Sequence, residues 1–215
     1  MKNIFRREFF LFIGGILSLG LLWYFVDWKV KLQSNASSLT DNSTDELELP
    51  DEAYKPQYRL ESLVFSVDRK RKTVCAHNVE TGELVWESGG EDKFIVPGAA
   101  FPIDLSTDGE LWVANVGRKR LEQLDPQTGK FIAFWEPTLA FGGCCNPVRF
   151  AVLSGGRVVT MEKGMRQACI YQPSGELDQM ISDELSNSEF NYFLYRTDDK
   201  VNVCDIGTKQ QWEVA

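Results

Sequence analysis

The rhythm of apolar and polar positions changes twice along this chain. From Phe9 to Val26 the run FFLFIGGILSLGLLWYFV is apolar and uncharged, which is the length one bilayer-spanning helix requires. From Gln33 to Gln57 the rhythm vanishes: QSNASSLTDNSTDELELPDEAYKPQ is polar and acidic and offers almost nothing to bury. Beyond Tyr58 short alternating runs appear, among them SLVFSVD, KTVCAHN, ELWVANV, RVVTMEK and RQACIYQ. Period-two alternation over such lengths, punctuated by Gly, Asn and Asp, predicts many short strands.

The pattern divides the chain into a cytoplasmic tail (residues 1–8), a transmembrane anchor (9–28), a flexible acidic linker (29–57) and an all-β domain (58–215). Lys2, Arg6 and Arg7 precede the apolar run and place the N-terminus in the cytoplasm, although Lys29 and Lys31 pull the other way. Trp23, Tyr24 and Trp28 fall where an aromatic belt meets the headgroups. No small-x-small cleavage site follows directly, so the segment reads as an uncleaved signal-anchor rather than a signal peptide. The expected setting is a single-pass protein of a bacterial inner membrane with its domain on the periplasmic side. Gly14 and Ser18 have the small-xxx-small spacing that lets helices pack closely.

Within the β domain the sequence repeats. The segments NVETGELVWE (78–87), DPQTGKFIAFWE (125–136), QPSGELDQMI (172–181) and DIGTKQQWEV (205–214) each place a turn before a short strand. Strand-like runs precede each: SLVFSVD and KTVCAHN, ELWVANV and KRLEQLD, RVVTMEK and RQACIYQ, FNYFLYR and KVNVCD. The middle units add AAFPIDLST (99–107) and PVRFAVLSG (147–155). Asp108-Gly109 and Gly155-Gly156 lie 47 positions apart, as do Asn115 and Glu162. Such spacing describes the blades of a β-propeller. About four blades are expected, as a closed ring or an open arc, with no clear innermost strand in the first and last. An open arc leaves edges that another chain must cover.

The second unit, FPIDLSTDGELWVANVGRKRLEQLDPQTGKFIAFW, resembles an NHL-type propeller repeat. Ala76-x-Asn78-x-x-Thr81-Gly82-x-x-x-Trp86 is similar to the tryptophan-docking repeat of quinoprotein-type propellers, with Asn where that family has Asp. The resemblance implies a blade architecture in which Trp86, Trp135 and Trp212 pack between neighbouring blades. It implies no ligand, because propellers host many unrelated functions. Those families close with six blades or more, too many for this chain, so a quinoprotein enzyme is disfavoured.

The net charge of −8 argues against a general nucleic-acid binder. Yet the loops read as joining second and third strands, DRKRK (68–72), VGRKR (116–120), EKGMR (162–166) and TDDK (197–200), sum to about +6. Blade-to-blade connections share their face. Arg69, Lys70, Arg71, Lys72, Arg118, Lys119, Arg120, Lys163 and Arg166 are therefore candidate binding residues for an acidic protein or anionic ligand. The simpler alternative is a solvated surface.

Five cysteines and one histidine, without CxxC spacing, provide no recognisable structural zinc, c-type haem or iron–sulfur package. No cofactor or metal is expected. Cys144 and Cys145 are adjacent in the connection 137–147, at the mouth of the basic face. Three readings stay open: small side chains buried at a bend, a strained vicinal disulfide, or ligation of a metal or cofactor. Cys75 and Cys169 fall at equivalent third-strand positions and Cys204 one residue out of phase, as buried structural thiols. Glu162 and Lys163 have no nucleophile or partner carboxylate set against them, and His77 reads as a packing or surface residue. The reading that follows is a membrane-anchored binding module or accessory subunit of a membrane complex, with a protein partner or a second copy of itself. The alternative is a thiol redox or electron-transfer accessory factor using Cys144 and Cys145.

Overall fold

The structure, a computed structural model, describes Leu49, residues 58–197 and residues 200–214. The expected tail, the anchor and all of the linker except Leu49 lie outside the described residues. Among those described, no helix is long and apolar enough to cross a membrane.

Four antiparallel sheets make up the described domain. The first holds β1 (Tyr58–Leu60), β2 (Leu63–Asp68), β3 (Thr73–Asn78) and β4 (Leu84–Ser88). The second holds β5 (Ile103–Leu105), β6 (Leu111–Asn115), β7 (Arg120–Leu124) and β8 (Phe131–Trp135). The third holds β9 (Arg149–Val152), β10 (Val158–Glu162), β11 (Gln167–Tyr171) and β12 (Leu177–Ser182). The fourth has three strands, β13 (Tyr192–Thr197), β14 (Lys200–Asp205) and β15 (Gln210–Val214). Strands within each sheet follow chain order, and β1 lies beside β5, β5 beside β9 and β9 beside β13. The first strand of every sheet therefore lines a common centre, in a four-blade, propeller-like arrangement.

Blades one and four differ from expectation. Blade one does have an innermost strand, β1, whose three residues are too few for alternation to show. In blade four the run FNYFLYR supplies most of the innermost strand, β13, from Tyr192 onward, and the outermost strand is the one missing among the described residues. Trp212 accordingly sits on a third strand and belongs to the apolar layer shared with blade three. Trp86 and Trp135 lie on the outermost strands β4 and β8 and face the next blade.

The repeated turns form for a common reason. Asn78 Oδ1 accepts from the backbone N–H groups of Glu80 and Thr81 at 2.8 and 3.0 Å. Asp125 Oδ1 accepts from Gln127 and Thr128 at 2.8 and 2.9 Å. A short carboxylate or amide thus closes the turn before the outer strand, and Gly82 and Gly129 follow in the left-handed region. Gly129 is also pressed by its neighbour: a Cβ there would stand 2.5 Å from Cε3 of Trp86. The Trp86 indole reaches that turn and donates to the Pro126 carbonyl at 3.0 Å. Trp135 instead meets the Tyr171 ring edge-on, with centroids 5.7 Å apart, and its buried indole N–H has no partner among the described residues.

Three apolar layers bind the blades. Phe65, Val74, Ala76 and Trp86 meet Ile103, Leu111, Val113 and Leu124. Ala114, Leu121 and Trp135 meet Phe150, Val158 and Tyr171. Ala151, Val159, Met161 and Ile170 meet Tyr192, Val201, Val203 and Trp212. Among the described residues no comparable layer joins blade four to blade one. The centre is polar instead. Asp104 of β5 accepts from the Val152 N–H of β9 and from Arg196 Nη2 of β13, both at 2.7 Å, while Arg196 also donates to the Val152 carbonyl at 2.8 Å. Burial pushes the Asp104 carboxyl upward, against the pull of Arg196 and of the Val152 amide.

Candidate functional site

The loops between second and third strands gather at one end of the sheets, beside the blade-to-blade connections. Thr197 and Lys200 are not among them, because β13 is an innermost strand and the end at which it pairs with β14 through these two residues is the opposite one. The fourth loop of this face is residues 206–209, between β14 and β15.

With the phase corrected, a regularity emerges that the sequence reading missed. The loops end in Lys72, Lys119, Arg166 and Lys209, each immediately before a third strand, β3, β7, β11 and β15. All four hold left-handed backbones, with φ of 59°, 56°, 54° and 57°. Left-handed geometry costs an L-residue with a Cβ on the order of 1 kcal/mol, which is why Gly or Asn normally fills such a slot. A long cation stands there four times. None of the four has an ion-pair partner among the described residues. A repeated x-Gly-x-cation pattern was available as a signal: Val-Gly-Arg-Lys (116–119), Lys-Gly-Met-Arg (163–166) and Ile-Gly-Thr-Lys (206–209).

The other candidate cations are placed differently. Arg71 pairs with Asp68 at 2.8 Å and with Glu87 at 2.7 Å. Arg118 meets Asp92 at 2.6 Å, and Arg120 binds both Glu91 and the fully buried Glu122. Lys163 pairs with Glu189. The acids come largely from the connections, which the loop sum did not count: Glu91 and Asp92 precede blade two, and Glu189 precedes blade four. Arg69 and Lys70 are exposed and without an ion pair among the described residues. The face is thus a mosaic of neutralised pairs with the four-fold set of unpaired cations, plus Arg69 and Lys70, standing out.

Large apolar side chains are interleaved with them. Ile95 is 46% exposed, Met165 57% and Phe190 75%, and each lies in a loop or connection of this face. Ile95 is held there by backbone bonds, its carbonyl accepting from Gly117 N–H at 2.8 Å and its N–H donating to Asn115 Oδ1 at 2.9 Å. Leu185 and Arg166 are tied in the same way, with Leu185 N–H on the Arg166 carbonyl at 2.9 Å and Arg166 Nε on the Leu185 carbonyl at 2.6 Å.

Cys144 and Cys145 stand on this face too, Cys144 exposed and Cys145 half-buried, with Sγ atoms 3.1 Å apart. Buried Asn146 fixes the segment: its Nδ2 donates to the Gly142 carbonyl at 2.5 Å and its Oδ1 accepts from Lys163 N–H at 3.0 Å. The Cys145 thiol is pushed up first by its hydrogen bond with Cys144 and then by burial, while Lys163 pulls it down. Cys75, Cys169 and Cys204 are buried, and burial is the first cause raising each of them, Cys204 to about 12. Among the described residues no cluster of three or more His, Cys, Asp or Glu stands ready to hold a metal ion.

No family model matches this chain, and no curated protein does. Several solved propeller structures resemble it. A streptogramin B lyase is 15% identical, with 70% of this chain and 46% of that one covered and a TM-score of 0.48. BamB from Moraxella catarrhalis is 16% identical, with 73% and 50% covered and a TM-score of 0.38. The WD40 β-propeller domain of Doa1 is 12% identical, with 71% and 46% covered and a TM-score of 0.45. The chain spans about half the length of these structures.

Proposed function

We propose that this protein is a membrane-anchored binding module, held by residues 9–28 and displaying its propeller on the outer side of a bacterial inner membrane. The propeller would dock an acidic protein surface, as an accessory subunit of a membrane complex. The NHL-type and quinoprotein-like character of its repeat belongs to this reading and adds no cofactor to it.

One observation carries the docking surface: Lys72, Lys119, Arg166 and Lys209 recur in the same left-handed slot on one face. Four strained positions kept by cations where Gly would relax the backbone suggest a role other than stability. Exposed Ile95, Met165 and Phe190 between them supply the apolar anchors that a purely electrostatic contact lacks. Paired residues such as Arg118 and Arg120 keep the loops in shape, so the partner meets the unpaired set.

The test uses a fluorescent polyglutamate peptide as probe and the full chain in detergent. Binding should weaken steeply as ionic strength rises from 0.01 to 0.1 M, where the Debye length falls from about 30 to about 10 Å. Charge reversal of Lys72, Lys119, Arg166 and Lys209 together should abolish it, chiefly through the on-rate, while Glu83→Lys on the opposite face should leave it unchanged. Binding indifferent to salt and to these four residues would reduce the face to a solvated surface. Protease added to spheroplasts, whose outer membrane has been opened, should remove the propeller; its protection there would overturn the topology.

A further inference from the structure

The geometry points to Cys144 and Cys145 as a two-electron dithiol–disulfide site that exchanges with the disulfide of a partner molecule at the loop face. This site is separate from the docking reading and does not depend on it.

Three observations set this pair apart from the other thiols. Its sulfurs already touch, at 3.1 Å, while Cys75, Cys169 and Cys204 are shut inside the blade layers. It is presented rather than hidden: Gly143 turns the chain at a φ of 73°, and the two amide contacts of Asn146 hold the segment against the loop of blade three. Its two members are also unequal. Cys144 is exposed, whereas Cys145 lies behind it, close enough to the 89–102 connection that a Cβ on Gly98 would stand 3.1 Å from its Sγ. An incoming disulfide therefore meets Cys144 first.

The chemistry balances without a metal or cofactor. Cys144, as thiolate, attacks one sulfur of the partner's disulfide; that S–S bond breaks and the partner leaves as a thiolate, which takes up a proton. The product is a mixed disulfide on Cys144. Cys145 then loses its proton to solvent and attacks Cys144 Sγ, expelling the partner's second sulfur as a thiol. The partner gains two electrons and two protons, and the protein is left with a Cys144–Cys145 bond. At Cys145 the pull of the Lys163 ammonium toward the thiolate is opposed by its ion-pair partner Glu189, so contact with Cys144 rather than an activated thiol carries the second step. Neighbouring Cα atoms lie about 3.8 Å apart, shorter than the usual separation of about 4.4–6.8 Å in disulfides. The ring is consequently strained and readily reduced again, as suits a labile couple rather than a structural bridge.

The probe is 5,5′-dithiobis(2-nitrobenzoate), a reactive aromatic disulfide, applied to the folded full-length protein and followed by absorbance and intact mass. The wild type should release two thionitrobenzoates yet retain no adduct, its mass lower by two hydrogens. Cys145→Ser should release one and keep the aromatic adduct on Cys144, because nothing resolves it. Cys144→Ser should react at least about tenfold more slowly, its remaining thiol being half-buried. Two retained adducts on the wild type would mean independent thiols, and equal rates for the two single variants would erase the assigned order; either result overturns the proposal. Near-ultraviolet circular dichroism of each serine variant confirms that the fold is intact.

Discussion

Blades two and three carry different polar clusters in the same slot. Asn115, Arg120 and Glu122 stand 47 positions before Glu162, Gln167 and Cys169, and the strand pairings coincide: Asn115 opposes Arg120, Glu162 opposes Gln167. In blade two Glu122 Oε1 accepts from Asn115 Nδ2 at 2.8 Å and from Arg120 Nε and Nη2 at 3.0 and 2.8 Å. Its Oε2 accepts the Glu91 N–H at 3.0 Å. In blade three Glu162 Oε1 accepts from Thr160 Oγ1 at 2.8 Å and the Tyr171 hydroxyl at 2.9 Å, and its Oε2 accepts from Gln167 Nε2 at 2.9 Å. One buried carboxylate has a cation; the other has only neutral donors, and burial raises its pKa despite them. Hydrogen bonds alone satisfy the geometry of a buried carboxylate without offsetting the desolvation of its charge.

The most disruptive way to break this comparison is Glu122→Gln. It leaves the mostly buried Arg120 with Glu91 as its remaining acid, and urea unfolding should show a loss of about 3 kcal/mol. A loss below about 1 kcal/mol would mean that the two clusters are energetically alike.

Glu162→Gln should act less and in the opposite direction. The native carboxyl, its pKa raised by burial, holds its proton above the unfolded value of about 4.3, so between those values the native state binds more protons than the unfolded chain. Stability therefore falls as pH rises through that window, and this contribution is largest below it. Urea midpoints measured from pH 4 to 8 should decline for the wild type relative to Glu162→Gln. Parallel profiles would show that Glu162 does not titrate in this way.

A third contrast sharpens the layers between blades. Trp86→Phe forfeits the bond to Pro126, whereas Trp135→Phe removes an indole N–H that has no partner among the described residues. Melting curves should place Trp86→Phe about 1 kcal/mol below Trp135→Phe. Equal losses would mean that the Pro126 contact adds nothing to packing.

The smallest effect concerns what all four blades share. Lys209→Gly should stabilise the domain by no more than about 1 kcal/mol, because it relieves a left-handed Lys. The same substitution should weaken polyglutamate binding. Stabilisation with unchanged binding would detach the backbone regularity from function.

Much of this was legible in the chain. The turn residues Asn78 and Asp125, the glycines after them and the 47-residue spacing foretold about four blades and the phase of the first three, because each depends on local backbone chemistry. The phase of blade four was not legible. Asp205-Ile-Gly-Thr-Lys imitates the Asn78-to-Gly82 turn, and only the contact of β13 with β9 shows that it belongs one strand earlier. The charge of the loop face misled for a related reason: Glu91 and Asp92 meet Arg120 and Arg118 from 29 and 26 positions away. No local sum contains such pairs. The adjacency of Cys144 and Cys145 was plain in the sequence, but their unequal exposure required the fold.

The bond from Arg196 to Asp104 joins residues 92 positions apart and crosses a strand of the blade between them. It makes blade four the keystone for a charge laid down two blades earlier. As the chain is synthesised, Asp104 must wait, desolvating only when β9 has paired and β13 has arrived. Contacts of such sequence separation form late and slow the final step of folding. A chain halted before Arg196 would hold apolar layers between three blades around a carboxylate met by the Val152 amide but by no cation of blade four, with its centre left open to water.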